Sequence, residues 1–376
     1  MFFNGCLFLR ALRLSLFGQP FRVRRWAYVL FFSGLFLIFL GFVLLGRALD
    51  HLLFPGFRRQ PLCQPVFIIA PPRSGTTLVQ KLLSLDVERF VHLKMYQTIF
   101  PAVCLQRFFN ALGRLDGAVG RPLGRLLEWC ERKWFGGWDD MHKMRLNQPE
   151  EDDALFLYAF ESEAVYMLFP FINELWEAGF PDALPVEKRR RLMRYYRSCL
   201  MRHLYANGPS HTLLSKATQS CGSLEALMEE FPDARFITIV RHPYRSLASH
   251  VSLFVPVWQA HSPEITKDGP VSLAYTKLAI EWYKHLFQFR TTIDPRRYYC
   301  IDYRDLVKNP RTAVEGVYRH FGWTPSDAYT VKLDEATRRQ GEFKSKHEYT
   351  LEEFGMSKQW IQDELGHILD AYGLER

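Results

Sequence analysis

The sequence has no cysteine framework. Its seven Cys (Cys6, Cys63, Cys104, Cys130, Cys199, Cys221 and Cys300) are odd in number, scattered, and include no C-x-x-C pair. That excludes a disulfide scaffold and the usual cysteine zinc sites. No N-x-[ST] sequon occurs either. Both absences fit a reducing compartment, or at least require no oxidising one. Residues 1–50 contain no lysine and a single acid, Asp50. There is no internal repeat and no low-complexity tract. The nucleoside-triphosphatase loop G-x-x-x-x-G-K-[ST] is missing as well, as is a clear set of Mg²⁺-binding acids, which argues against a phosphate-loop kinase.

A substantial core is present by composition. Of 376 residues, 48% are hydrophobic and 23% charged, enough to exclude global disorder. The length fits one large or two ordinary domains. The net charge is +8, and the first 50 residues, with six Arg against Asp50, hold most of it. The basic balance is therefore an anchor property and weak support for nucleic-acid binding. The stretch "WAYVLFFSGLFLIFLGFVLLG", residues 26–46, has no charge and is long enough to span a bilayer. "RVRR" precedes it, and Trp26 and Tyr28 suit an interface. It is too long, and starts too far in, for a cleaved signal peptide. The residues before it mix apolar side chains with Arg and suit a membrane surface.

Residues 66–84, "VFIIAPPRSGTTLVQKLLS", carry the first chemical signal. Val66 to Ala70 reads as a strand covered on both faces. Gly75 permits close backbone approach, and Thr76 and Thr77 stand where a helix begins. Free N–H groups at a helix start attract anions, and Arg73 adds a fixed charge suited to phosphate or sulfate. Ser74 completes the turn. An ordinary strand–turn–helix joint is the bland alternative.

The second signal is "DARFITIVRHPYRSLASH". A strand ends in Arg241, and Ser249 follows eight residues later on a helix. In open parallel sheets, ligands bind beyond the carboxyl ends of strands. Arg241 supplies a charged fork and Ser249 a hydroxyl, as a phosphate requires. By themselves the two could be a surface pair. With "PPRSGTT" they describe two anion pockets on one edge.

Strands alternate with helices along the rest of the chain, so the expected fold is α/β, a P-loop-like central parallel sheet flanked by helices and preceded by an N-terminal transmembrane helix. The expected divisions are 1–25, a basic amphipathic segment; 26–46, the membrane helix; 47–65, a linker; and 66–376, the catalytic domain. "PEEDDALFLYAFESEAVYMLFPFINELW" reads as an aromatic helix and "YYCIDYRDLV" as a strand.

Two anion pockets on one nucleotide match a 3′,5′-bisphosphate, and here the sequence resembles the sulfotransferases that use 3′-phosphoadenosine 5′-phosphosulfate (PAPS). "PPRSGTT" resembles their 5′-phosphosulfate loop, and "IVRHPYRSLAS" their 3′-phosphate motif. "CIDYRDLVKNPRTAVEGVYRHFGW" resembles the strand and helix that place Tyr303 near the adenine. "HKMRLNQPEED" and "HEYTLEEFG" resemble segments of the bacterial-type branch. The match covers about residues 64–357. It implies a PAPS-dependent sulfotransferase with PAPS as co-substrate and no metal. Arg73, Ser74, Gly75, Thr76, Thr77, Arg241, Ser249 and Tyr303 would bind the nucleotide. Many cytosolic relatives have Lys in place of Arg73 and Trp in place of Leu78. Lys216 matches a Lys at the tip of the central strand, but the His usual shortly after it is missing.

The leaving bridge would be neutralised by Arg73, Lys216 and the helix start. A base must take the acceptor proton. The candidates are His142 and His92, with Glu150 and Glu151 to orient or replace the former. The missing His supports the rival reading, a non-catalytic membrane protein that binds a bisphosphate nucleotide or a partner. The expected acceptor is a small molecule or lipid, a hydroxyl or an amine, with a lean toward apolar or lipid-linked alcohols; no nucleic acid is expected, and oligomeric state is unreadable. Arginine counts favour a single-pass protein with its N-terminus in the cytoplasm. A bacterial enzyme would need its catalytic domain in the cytosol, where PAPS is made, and a Golgi enzyme would face the lumen.

Overall fold

A computed structural model describes residues 2–135, 145–340 and 349–375. Two helices come first, α1 (Gly5–Phe17) and α2 (Val23–Leu53). Asn4 caps α1 by accepting from the Leu7 amide. Helix α2 is long and apolar enough to cross a membrane and continues through residues 47–53. Its buried positions, Arg25, Val29, Ser33, Leu40, Val43, Gly46 and Asp50, form one stripe at three-, four- and seven-residue spacing.

Strand β1 (Val66–Ile69) leads into α3 (Thr76–Leu83) and the short edge strand β2 (Phe90–Val91). Three helices follow: α4 (Met95–Ile99), α5 (Val103–Ala118) and α6 (Pro122–Phe135). The aromatic segment forms α7 (Ala154–Leu157), α8 (Val165–Leu168) and α9 (Trp176–Gly179), each about one turn long, in place of the one long helix expected. It has no polar face: Leu155, Phe156, Tyr158, Phe160, Val165, Tyr166 and Phe169 are all buried. Phe160 takes a left-handed conformation at φ 61° and breaks the run.

The basic helix α10 (Val186–Asn207) starts after Pro185 and stops at Gly208. Then come β3 (Thr212–Lys216), α11 (Leu224–Glu230), β4 (Arg235–Val240), α12 (Pro243–His261) and α13 (Pro270–Thr292). Strand β5 (Tyr298–Asp302) ends sooner than expected, because Asp302 accepts from the Arg304 amide and caps α14 (Tyr303–Lys308). The described chain closes with α15 (Pro310–His320), α16 (Asp327–Gln340) and α17 (Lys358–Ala371).

The sheet is wholly parallel, ordered β2-β3-β1-β4-β5. Val66 pairs with Leu214 on one side and Arg235 on the other. Side chains alternate between faces along β1. Val66 and Ile68 pack with Val79, Leu83, Val314 and Val317 from α3 and α15. Phe67 and Ile69 join a second, larger core with residues of α10 to α13. The chain reaches β3 and β4 on opposite sides of β1, which makes the carboxyl end of β1 the switch point where a ligand crevice forms.

Candidate active site

The turn after β1 is held in an uncommon conformation. Arg73 has φ 65° and Gly75 has φ 92°. A non-glycine residue in this region costs of order 1–3 kcal/mol and persists only where its surroundings fix it. Here the Arg241 guanidinium donates to the Arg73 carbonyl, and Arg73 Nε donates to Ser249 Oγ at 3.1 Å. Gly75 is required on two grounds. Its backbone is left-handed, and an added Cβ would lie 3.0 Å from Leu306 and 3.2 Å from Tyr303.

Four segments converge on this turn. Lys216, at the end of β3, donates from Nζ to Thr77 Oγ1 at 3.0 Å and pairs with Glu151 Oε1 at 2.9 Å. Thr218 Oγ1 donates to the other oxygen, Glu151 Oε2, at 3.0 Å. Arg241, one residue past β4, stacks on Tyr303 at 4.4 Å from the ring centroid. Its carbonyl accepts from Tyr283 at 3.1 Å. Arg73 is half-buried, and burial first and then Arg241 push its pKa down. Arg73, Arg241 and Lys216 thus gather in one cleft, against Glu151 and the start of α3. A polyanion with two acidic groups fits that balance.

Arg73, Thr77, Glu151, Lys216, Thr218, Arg241, Ser249 and Tyr303 line one continuous cleft, together with Gly75, Thr76, Glu150 and Tyr349. Ser74 is buried in the turn itself. Beyond them the wall is mixed: the apolar Phe100, Phe109, Leu123, Leu127, Leu253 and Phe254 stand among charged residues such as Arg107, Arg121 and Glu128.

His92 is not in the cleft wall among the described residues. Burial, then the Lys94 charge, lower its pKa to about 4. His142 lies outside the described residues. Glu151 reaches Lys216, whereas Glu150 Oε1 accepts from the Glu151 amide at 3.0 Å.

One group escaped sequence reasoning. Glu163 Oε1 and His250 Nε2 lie 2.7 Å apart, and the Tyr275 hydroxyl is 2.8 Å from the same nitrogen. Glu163 and His250 both line the cleft, and burial pushes the Glu163 carboxyl up. Only the adjacency of His250 to Ser249 could have flagged it, because Glu163 comes from a distant segment. Asp152 was missed as well. It accepts from Tyr196 at 2.6 Å and Ser215 at 2.9 Å, tying the Glu151 segment to β3. Burial raises its pKa to about 6 against the pull of those two bonds.

Residues 65–327 match the sulfotransferase family. The chain is 25% identical over 319 residues to omega-hydroxy-beta-dihydromenaquinone-9 sulfotransferase Stf3 of Mycobacterium bovis and to its counterpart in Mycobacterium tuberculosis. In each case the match covers 83% of this chain and 76% of the relative. Two solved structures share the fold. Sulfotransferase STF9 from Mycobacterium avium has a TM-score of 0.73 at 17% identity, over 100% of this chain and 98% of its own. Sulfotransferase STF1 from Mycobacterium tuberculosis has 0.69 at 20%, over 97% and 94%.

Proposed function

The chain belongs to the sulfotransferase family and is an enzyme of sulfuryl transfer, and from that premise we propose that its donor is PAPS and its acceptor an apolar, lipid-linked alcohol. The observation that carries the donor assignment is the meeting of Arg73 and Ser249 beside Arg241, at the carboxyl ends of the adjacent strands β1 and β4. Two acidic groups of one nucleotide can be held there, one at the start of α3 near Lys216 and Thr77, the other at Arg241 and Ser249. Tyr303, whose ring packs against the Arg241 guanidinium, is the proposed support for the adenine. The Arg73–Ser249 bond would then open to admit the ligand.

Transfer forms a bond from the acceptor oxygen to sulfur and breaks the bond from sulfur to the bridging oxygen of the donor. The acceptor proton passes to a base, and adenosine 3′,5′-bisphosphate leaves. Lys216 and Arg73 carry the charges that stabilise the developing negative charge on the bridging oxygen. Glu151, paired with Lys216 at 2.9 Å, is the proposed base.

The apolar side chains within the cleft wall support the acceptor class, as does the acceptor in the name of the mycobacterial relatives. Attachment through α2 would keep the cleft beside a membrane. The experiment is incubation of purified protein with ³⁵S-labelled PAPS and isoprenoid, fatty and short water-soluble alcohols. Label should enter the long apolar alcohols. Transfer only to the short alcohols, or to none, would refute the acceptor class, and failure of the protein to bind PAPS would refute the donor assignment.

A further inference from the structure

Helix α2 is bonded to the catalytic domain at both of its ends. Near its start, Arg25 Nε donates to Ser262 Oγ at 2.9 Å and the same guanidinium pairs with Glu264, at the α12–α13 junction. Near its end, Asp50 pairs with Arg202 of α10 at 2.8 Å, both fully buried. Asp50 also accepts from the amides of Val103 and Cys104, at 2.9 Å each, and so caps α5. Between these ends Phe36 stacks against Tyr158, and Phe39 meets Phe100. The stretch from Arg25 to Asp50 is about 37 Å long at 1.5 Å per residue. The hydrocarbon core of a bilayer is about 30 Å thick. A helix crossing that core separates its two ends onto opposite sides of the membrane, yet one folded domain holds both ends of α2.

The exposed face of α2 is apolar between Arg24 and His51. Phe31, Ile38, Phe42, Leu45 and Leu52 are all exposed. Around its start the exposed Phe17, Phe21 and Val23 stand among the exposed Arg13, Arg22 and Arg24, a mix suited to an interface with anionic headgroups. The apolar surface goes on into the α5–α6 hairpin, which starts close against α2: a Cβ added at Gly46 would lie 3.0 Å from Ala102 and 3.2 Å from Leu105. The hairpin presents apolar side chains on two sides. Leu123 and Leu127 line the cleft. Phe108, Leu115, Val119 and Trp129 are exposed and are not part of the cleft wall.

We propose that α2 does not cross the bilayer but lies in the plane of one leaflet, and that the outer side of the α5–α6 hairpin enters the same leaflet, so that the cleft opens toward lipid. The occupant of this surface is the lipid bilayer. Continuity with α2 and the arginines at its start argue for lipid over a second copy of the chain. Delivery of a lipid acceptor through the hairpin rests on the acceptor reading above, but the membrane topology does not.

Two measurements separate these points. The full chain carries one protease-cleavable tag at its N-terminus and another at its C-terminus, in sealed membrane vesicles of one orientation. Both tags should be cut together, or both protected until detergent is added. Opposite accessibility of the two tags would overturn the in-plane placement. Absence of the protein from the membrane fraction would overturn it too. The second measurement uses L115E/V119E. This variant should float with phosphatidylglycerol-containing vesicles at least several-fold less well than wild type, while binding adenosine 3′,5′-bisphosphate unchanged. Equal flotation would remove the hairpin from the bilayer contact, and loss of nucleotide binding would show instead that its outer side supports the fold. If tag accessibility holds but no lipid alcohol is sulfated, the topology stands and the acceptor reading fails.

Discussion

Arg73 and Ser249 lie 176 positions apart in the chain, and their side chains meet at 3.1 Å. The contact joins the loop after β1 to the helix after β4. Arg241, which holds the Arg73 carbonyl, lies at the same junction. If Arg241 and Ser249 hold a 3′-phosphate, replacing either by Ala should weaken adenosine 3′,5′-bisphosphate by about 1.5–3 kcal/mol. Adenosine 5′-phosphate, which lacks that group, should bind nearly as before. Calorimetry with both ligands checks this, and equal losses would count against the assignment.

Arg73 and Lys216 should act on turnover more than on binding, because the charge they meet grows in the transition state. Arg73→Ala should lower kcat about 10²–10³-fold, by analogy with an oxyanion donor. Lys216→Ala should do the same, and it also leaves Glu151 without its cation. Single-turnover rates at saturating donor give the answer. An unchanged kcat with a raised KM would place both residues in ground-state binding.

The loop was legible because its signals are local. A buried strand, a glycine that must tolerate φ 92° and a helix start all fall within about ten residues. Arg241 and Ser249 were legible for the same reason. The parallel sheet followed from alternating elements. The Glu163–His250–Tyr275 cluster was not, since it draws on three segments, two of them 87 positions apart. The one-turn helices α7 to α9 were also hidden. A run buried on most sides has no period, and the acids within it are buried with individual partners, as Asp152 is with Tyr196 and Ser215. The buried stripe of α2 is spaced regularly in the sequence, but an apolar background on all faces obscures it.

Glu161 ties the first helix to the domain, accepting from Asn4 Nδ2 at 2.8 Å. Burial raises its pKa from 4.5 to about 7, with the Asn4 bond opposing. A folded-state pKa above the unfolded one means that the fold favours the protonated acid. That contribution is complete below about pH 4.5 and is lost as pH rises through about 7. Glu161→Gln keeps an acceptor for Asn4 and removes the ionisation. It should raise stability at pH 8 by at most about 3 kcal/mol, taking about 1.4 kcal/mol per pKa unit, and at pH 5 by less than about 1 kcal/mol. Thermal melts of both proteins at the two pH values test the sign, and a greater loss of stability at pH 8 than at pH 5 would reverse it.

The base is the last question. Glu151 stands 2.9 Å from Lys216, so its carboxylate adjoins the charge that meets the leaving group. Thr218 fixes its second oxygen. His92 is a poor alternative, because burial holds its pKa near 4 and it is not part of the cleft wall among the described residues. Glu151→Gln preserves the size and the bond from Thr218 while removing proton acceptance. It should lower single-turnover sulfuryl transfer about 10²–10⁴-fold and leave nucleotide affinity within a few-fold. It should also abolish the acid limb of the rate–pH profile. His92→Ala should retain near-wild-type rates. His142→Ala completes the set, since the chain carries this second imidazole just ahead of the Glu151 segment. If the Glu151 variant keeps its rate and the His142 variant loses about 10²-fold, the imidazole is the base and Glu151 serves to hold Lys216.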